Sequence, residues 1–104
     1  MKMAIYYLTC ANDWEADKIS KALLNKRLVT CAKKLPVSSS FWWKGKIDNA
    51  KEVVVMLESI EENFDKINAG VKKLSSYETY ILFSIPVLKT TKGVKDWLRK
   101  ELKS

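Results

Sequence analysis

Residues 52–59 read EVVVMLES, a run rich in β-branched and apolar side chains with no glycine or proline, which is the composition of a strand. Successive side chains of a strand point to opposite faces, so Val53, Val55 and Leu57 share one face while Val54 and Met56 share the other. Both faces are apolar. An antiparallel strand with one wet face alternates apolar and polar residues, so this one calls for cover on both sides. Residues 79–87, TYILFSIPV, repeat the pattern, with Tyr80 and Leu82 set against Ile81, Phe83 and Ile85 and the run stopping near Pro86.

Moving outward from this pair, MAIYYLTC (3–10) is a further strand and ANDWEADKISKALLNKRL (11–28) a helix. Asn12 followed three residues later by Glu15 forms a capping box, and Ala16, Ile19 and Leu23 recur on one helical face. VTCAKKLPVSSSFWWKGK (29–46) reads as a strand in which Pro36 demands a bulge or an edge position. The residues around Lys44 to Lys51 are then expected to form the hairpin loop, with Gly45 at its turn or bulge. Ser59 with Glu62 suggests a second capping box, opening a helix along Phe64, Ile67, Val71 and Leu74. Val94, Trp97, Leu98 and Leu102 mark a last short helix.

The order βαββαβ plus a C-terminal helix is an α+β, ferredoxin-like arrangement: a four-stranded antiparallel sheet with two helices on one face. Two helices cover one apolar face only. The other must meet the third helix or another subunit, and a chain of 104 residues has little left over, which implies a homo-oligomer. Trp42 and Trp43 sit side by side in a strand and cannot share a face. One is free to serve the core, and one of the pair is expected in the contact between subunits, where aromatics are enriched.

Composition bounds the function. The length fits a single domain, 1–104, and the 47% hydrophobic and 30% charged content is that of a globular protein. No apolar run approaches the ~20 residues of a membrane span. No small-residue cleavage site follows the first strand, which argues against a signal peptide and for a cytoplasmic location. Cys10 and Cys31 are too few for a disulfide framework or a zinc-finger spacing, and as a pair they read as small buried apolar side chains. The absence of histidine excludes His-based triads, His metal ligands and His proton shuttles. Glu78 and Lys46 are the candidate acid and base, but no nucleophile–base pair accompanies them, so a non-enzymatic role is expected.

The net charge is +7, and residues 66–104 alone hold nine basic and three acidic groups. Such an excess suggests an anionic partner, nucleic acid among them. Against this, 17 of the 19 basic residues are lysines, whereas arginine is the preferred reader of phosphates and guanine edges. A solvated lysine surface accounts for the composition as well.

Several segments together resemble the CutA divalent-cation tolerance proteins. FWWKGK (41–46) resembles that family's Y-W-W-x-G-K segment, and RLVTCAKKLPVSSS (27–40) its R-L-A-A-C-V-N-x-I-P stretch. LSSYETYILFSIPV (74–87) falls where the family has L-H-P-Y-E-x-P-E-I-x-x-x-P-V, and VKDWLRKEL (94–102) resembles its Y-x-x-W-I helix. The resemblance implies a ferredoxin-like homotrimer with sheets packed toward the threefold axis, kinship to the PII signalling proteins, a link to copper and other divalent metals, and an inter-subunit cleft for a small ligand.

Carried over by position, the resemblance implies cleft residues Trp43, Lys46 and Tyr77 for the ligand, with Cys31 and Glu78 toward a metal. The family's His and Pro before Tyr-Glu are Ser75 and Ser76 here, its next Pro and Glu are Tyr80 and Ile81, and the Asn after the cysteine is Lys33. With the imidazole gone, copper or another divalent metal is expected to bind weakly. Lys33, Lys44 and Lys46 turn the expected cleft toward a small anionic ligand. The competing expectation is a nucleic-acid or anion-binding ferredoxin-like module, with bases stacked on Tyr6, Tyr7, Phe41 or Trp43.

Overall fold

The structure, a computed structural model, describes residues 1–103. β1 (Met3–Cys10) leads into α1 (Asp13–Asn25). β2 (Cys31–Trp43) and β3 (Lys46–Ile60) form a long hairpin, and a 3₁₀ turn (Glu61–Asn63) opens α2 (Phe64–Leu74). β4 (Leu82–Pro86) and α3 (Val94–Glu101) complete the chain. The strands form one antiparallel sheet in the order β2-β3-β1-β4. This is the ferredoxin-like α+β arrangement with its additional helix.

Asn12 caps α1 by accepting the Glu15 N–H at 2.9 Å, and Asp13 and Glu15 place acidic groups at the positive end of the helix dipole. The far end closes as a Schellman motif, with the Leu28 N–H bonded to the Leu23 carbonyl and the Arg27 N–H to that of Leu24. Arg27 takes the left-handed position, φ 56°, that glycine usually fills. α1 and α2 approach closely at Gly70, where a Cβ would lie 3.0 Å from the Leu23 side chain.

One face of the sheet and these two helices enclose the core: Tyr6 and Leu8 of β1, Val55 and Leu57 of β3, Ile19 and Leu23 of α1, Ile67 and Val71 of α2. Burying each large aliphatic among them contributes about 1.5–3 kcal/mol. The Tyr6 hydroxyl finds the Ile60 carbonyl at 2.8 Å. Burial, reinforced by Glu61, pushes its pKa up to about 12.

The other face carries Ile5 and Tyr7 of β1, Val54 and Met56 of β3, Leu35 of β2, and Phe83 and Ile85 of β4, placed together by the strand register. Tyr7 and Phe83 stack with centroids 4.9 Å apart. Phe83 remains 45% exposed and Ile81 51%. Val54 and Met3 of this face are buried within the chain, so the exposed part is the stretch of Leu35, Ile81, Phe83 and Ile85. α3 is tied to the end of α1, through the Lys103 N–H to the Arg27 carbonyl and the Arg27 guanidinium to Glu101. Both faces of the sheet are thus apolar, as the alternation in β3 and β4 predicts, and one of them, the bare face, stays partly uncovered in the single chain, at Leu35, Ile81, Phe83 and Ile85.

Three local expectations are corrected and one is resolved. The loop expected over Lys44 to Lys51 is a two-residue turn. Lys44 and Gly45 both have positive φ, 50° and 80°, the type I′ geometry whose twist matches the flanking strands, so β3 starts at Lys46. Of the two positions expected for Pro36, a bulge or an edge, the structure has the edge: Pro36 pairs with Val53 in unbroken register on the edge strand β2. Ser59 caps no helix. It is the buried end of β3, its hydroxyl donating to the Leu28 carbonyl at 2.6 Å. Neither tryptophan serves the core of its own chain, since Trp42 is 72% exposed and Trp43 42%.

Candidate functional site

Beyond Val53 and Pro36 the hairpin has no β1 partner. Residues 37–43 and 46–52 therefore project as a two-stranded ribbon from the body of the sheet, and the molecule is 45 Å long. Directly paired residues share a face. Trp43 pairs with Lys46 at the tip, on the face continuous with the bare apolar side, and Trp42 pairs with Ile47 on the opposite one. Lys44 lies over the Trp43 ring, 5.8 Å from its centroid.

Tyr77 and Glu78 lie in the connection between α2 and β4, beside the root of the ribbon. The Tyr77 hydroxyl donates to the Glu52 carboxylate. Burial and this carboxylate together raise the Tyr77 pKa well above the ordinary range, with Glu15 and Cys10 adding to the effect. Glu78 is exposed. The loop is held by Glu15, whose buried carboxylate accepts from the Ser76 N–H and hydroxyl, each at 2.8 Å. A capping box would send Glu15 back to the Asn12 N–H; here only the Asn12 half of that box forms.

Cys31 opens β2 at the other end of the sheet body, half-buried on the bare face opposite Glu58. Twelve residues of strand, about 40 Å at ~3.3 Å per residue, separate it from Trp43. Lys33, beside it, is paired with Glu58, and that bond raises the Lys33 pKa. Lys33 is therefore already neutralised, which removes it from the expected set of ligand-attracting cations.

Within one chain the five candidate residues thus fall in three places: Cys31 at one end of the sheet, Tyr77 and Glu78 at the ribbon root, Trp43 and Lys46 at its tip. Among the described residues no three Cys, Asp or Glu side chains converge as metal ligands. Glu52 and Glu15, the partners that organise Tyr77 and its loop, were not among the sequence candidates. Glu52 reads only as the start of a strand and Glu15 only as part of a helix cap.

The family model for the CutA1 divalent ion tolerance protein matches residues 4–101. The chain belongs to the CutA1 family. The divalent-cation tolerance protein CutA of Archaeoglobus fulgidus is 36% identical over 92 residues, covering 88% of this chain and 90% of that protein. A solved structure described as the periplasmic divalent cation tolerance protein CutA from the same organism superposes with a TM-score of 0.94 at 33% identity, covering 97% of this chain and 99% of the other. CutA1 from Pyrococcus horikoshii gives 0.91 at 30% identity, with 97% and 99% covered. The description of the Archaeoglobus fulgidus structure places that protein in the periplasm, so the cytoplasmic expectation for this CutA1 family member is not supported by it. Among the described residues no helix is long and apolar enough to cross a membrane.

Proposed function

We propose that the protein acts as a homotrimeric binding scaffold in divalent-metal tolerance, without catalysis, and that its ligand site forms only where subunits meet. The observation that carries this is the bare sheet face. Leu35, Ile81, Phe83 and Ile85 are each 43–51% exposed on the single chain, a contiguous apolar surface of the kind that marks an interface. The ribbon presents Trp43 and Lys46 on the continuation of that same face. A neighbouring subunit is what can bring a ribbon tip beside another chain's Cys31 or Tyr77, since one chain keeps them far apart. The chain's own membership of the family supports the link to divalent metals.

In this reading the cleft is lined by Cys31, Trp43, Lys46, Tyr77 and Glu78, and takes a small anionic ligand in the manner of a PII-like signalling protein. Copper is held weakly, through the Cys31 thiolate as the soft ligand. Light scattering at micromolar concentration tests the assembly: a mass three times 12.0 kDa is expected, and a monomeric mass overturns it. Calorimetry with copper and zinc tests the metal: tight zinc binding unaffected by Cys31→Ser overturns the weak, soft site. The alternative, a nucleic-acid module with bases stacked on Tyr6, Tyr7, Phe41 or Trp43, has already lost Tyr6, which is fully buried in the core. It needs the face that carries Tyr7, Phe41 and Trp43 open in solution, so a trimeric mass decides against it.

A further inference from the structure

The helix side of the molecule, away from the apolar sheet face, holds a second feature. Where the end of α1, the start of α2 and the segment after α3 meet, Lys26, Lys66 and Lys103 surround an open hollow of about 370 Å³ floored by Leu28. Three chain segments far apart in sequence each contribute one exposed lysine to its lining, and among the described residues no carboxylate lines the hollow.

The usual task of lysines at helix ends is already done by other groups. The Ala22, Leu23 and Leu24 carbonyls at the end of α1 are satisfied by the backbone N–H groups of Lys26, Leu28 and Arg27, and the Leu98 carbonyl of α3 by that of Leu102. The Glu101 carbonyl and carboxylate are taken by Arg27. The Leu28 carbonyl accepts from Ser59 and Asn63. Nearby Glu62 is engaged by the N-terminal ammonium and the Lys2 N–H. Three lysines thus line one hollow while these backbone and carboxylate acceptors are bonded to other groups, and a multiply charged anion in the hollow would be attracted by all three.

We propose that this hollow is a binding site for a phosphate-type oxyanion, free or carried on a nucleotide. Lysine contributes compact, strongly hydrated point charges suited to phosphate. The wide mouth admits a diphosphate rather than enclosing a single ion. The site lies on one chain and does not depend on the trimer or on the inter-subunit cleft.

Titration calorimetry on the intact protein with inorganic phosphate, pyrophosphate and ADP, at an ionic strength fixed with sodium chloride, tests it. Saturable binding of pyrophosphate or ADP at one site per chain is expected. Lys26→Ala and Lys66→Ala should each weaken it tenfold or more, while Lys92→Ala, in a different lysine-bearing loop, should change it less than twofold. Tighter binding of ADP than of pyrophosphate identifies a nucleotide-borne phosphate, and the reverse a free one. Heats that do not saturate, equal losses in all three variants, or no loss in either Lys26→Ala or Lys66→Ala overturn the proposal. Unchanged melting temperatures without ligand confirm that the variants are folded.

Discussion

Glu15 and Ser76 stand 61 residues apart in sequence and are joined by two hydrogen bonds, from the Ser76 N–H and from its hydroxyl, each 2.8 Å to a carboxylate oxygen. Glu15 is only 4% exposed, and a buried carboxylate is tolerated where such donors meet it. In the family pattern this chain resembles, the position of Ser76 is proline, which has no N–H to give. The loop is pinned twice more, by Tyr77 to Glu52 and by the Tyr80 hydroxyl to Asn68 Oδ1 at 2.5 Å. A segment without regular structure is thereby held in one conformation, and it is the segment that carries Tyr77 and Glu78.

Removing this latch should loosen the loop more than the fold. Ser76→Ala deletes the hydroxyl bond and should cost about 1 kcal/mol, while Glu15→Ala strands both Ser76 donors and should cost about 1–3 kcal/mol. Glu15→Gln keeps an acceptor and should fall below Glu15→Ala. Urea denaturation gives the order. Amide exchange should accelerate at residues 76–80 in Glu15→Ala before it changes in β3.

Alkaline pH should unfold the protein through two buried acids. Burial, reinforced by Glu15, pushes the Cys10 thiol from its ordinary 9.0 to about 12, and burial pushes Tyr6 from 10.0 to about 12. Each group is protonated in the native state at a pH where the unfolded chain has already released the proton. The stability they confer is therefore complete below pH 9 and is lost progressively as pH rises from 9 toward 12. The slope approaches ~1.4 kcal/mol per pH unit for each group that is ionised only when unfolded. Melting temperature should fall across this window, and Cys10→Ala should flatten its lower part, between pH 9 and 10. An equally steep fall in Cys10→Ala would mean that other groups govern it.

Much of the fold is written in period-two alternation. Val53 to Leu57 and Tyr80 to Ile85 display apolar residues on both faces; the structure buries the set of Val53, Val55 and Leu57 and leaves Ile81, Phe83 and Ile85 of the other exposed. The hairpin is where the reading fails, and the reason is local. Asp48, Asn49 and Lys51 look like loop residues, but in a projecting two-stranded ribbon both faces are wet and polar residues carry no penalty. The turn is Lys44-Gly45, and a lysine at φ 50° is a weak advertisement for type I′ geometry. Ser59 misleads for a related reason: a hydroxyl ahead of a helix looks like a cap until the Leu28 carbonyl, 31 residues back in the chain, claims it. Of the candidate site, the cross-strand pairing of Trp43 with Lys46 follows from the short turn, whereas the Tyr77–Glu52 and Glu15–Ser76 contacts are tertiary and leave no mark on spacing.

Arg27 allows backbone strain and a side-chain tie to be separated. A non-glycine residue in the left-handed region costs roughly 1–2 kcal/mol, and Arg27 offsets this with bonds to the Glu101 carbonyl at 3.1 Å and carboxylate at 3.2 Å. Arg27→Ala keeps the strain and loses the bonds, so it should be destabilising by about 1 kcal/mol. Arg27→Gly loses the bonds but relieves the strain, and should be nearly neutral. Thermal melts of the two variants should differ by about 1 kcal/mol in that order. Equal losses would show that the guanidinium contacts alone set the cost.

The two tryptophans provide the sharpest test of which side of the ribbon faces a partner. Trp42 and Trp43 are adjacent, both exposed, and chemically identical, so deleting either removes the same apolar ring from the same ribbon. They differ in parity. Trp43, with Lys46, continues the bare face of Tyr7, Met56 and Phe83; Trp42, with Ile47, points the other way. If the bare face is the subunit contact, Trp43→Ala should weaken association by about 2 kcal/mol or more, the cost of truncating a buried aromatic anchor. It should then release monomer on dilution in light scattering. Trp42→Ala should leave the assembled mass unchanged at the same concentrations. Dissociation caused by Trp42→Ala but not by Trp43→Ala would place the contact on the opposite side of the ribbon, and would leave the apolar sheet face without the partner assigned to it.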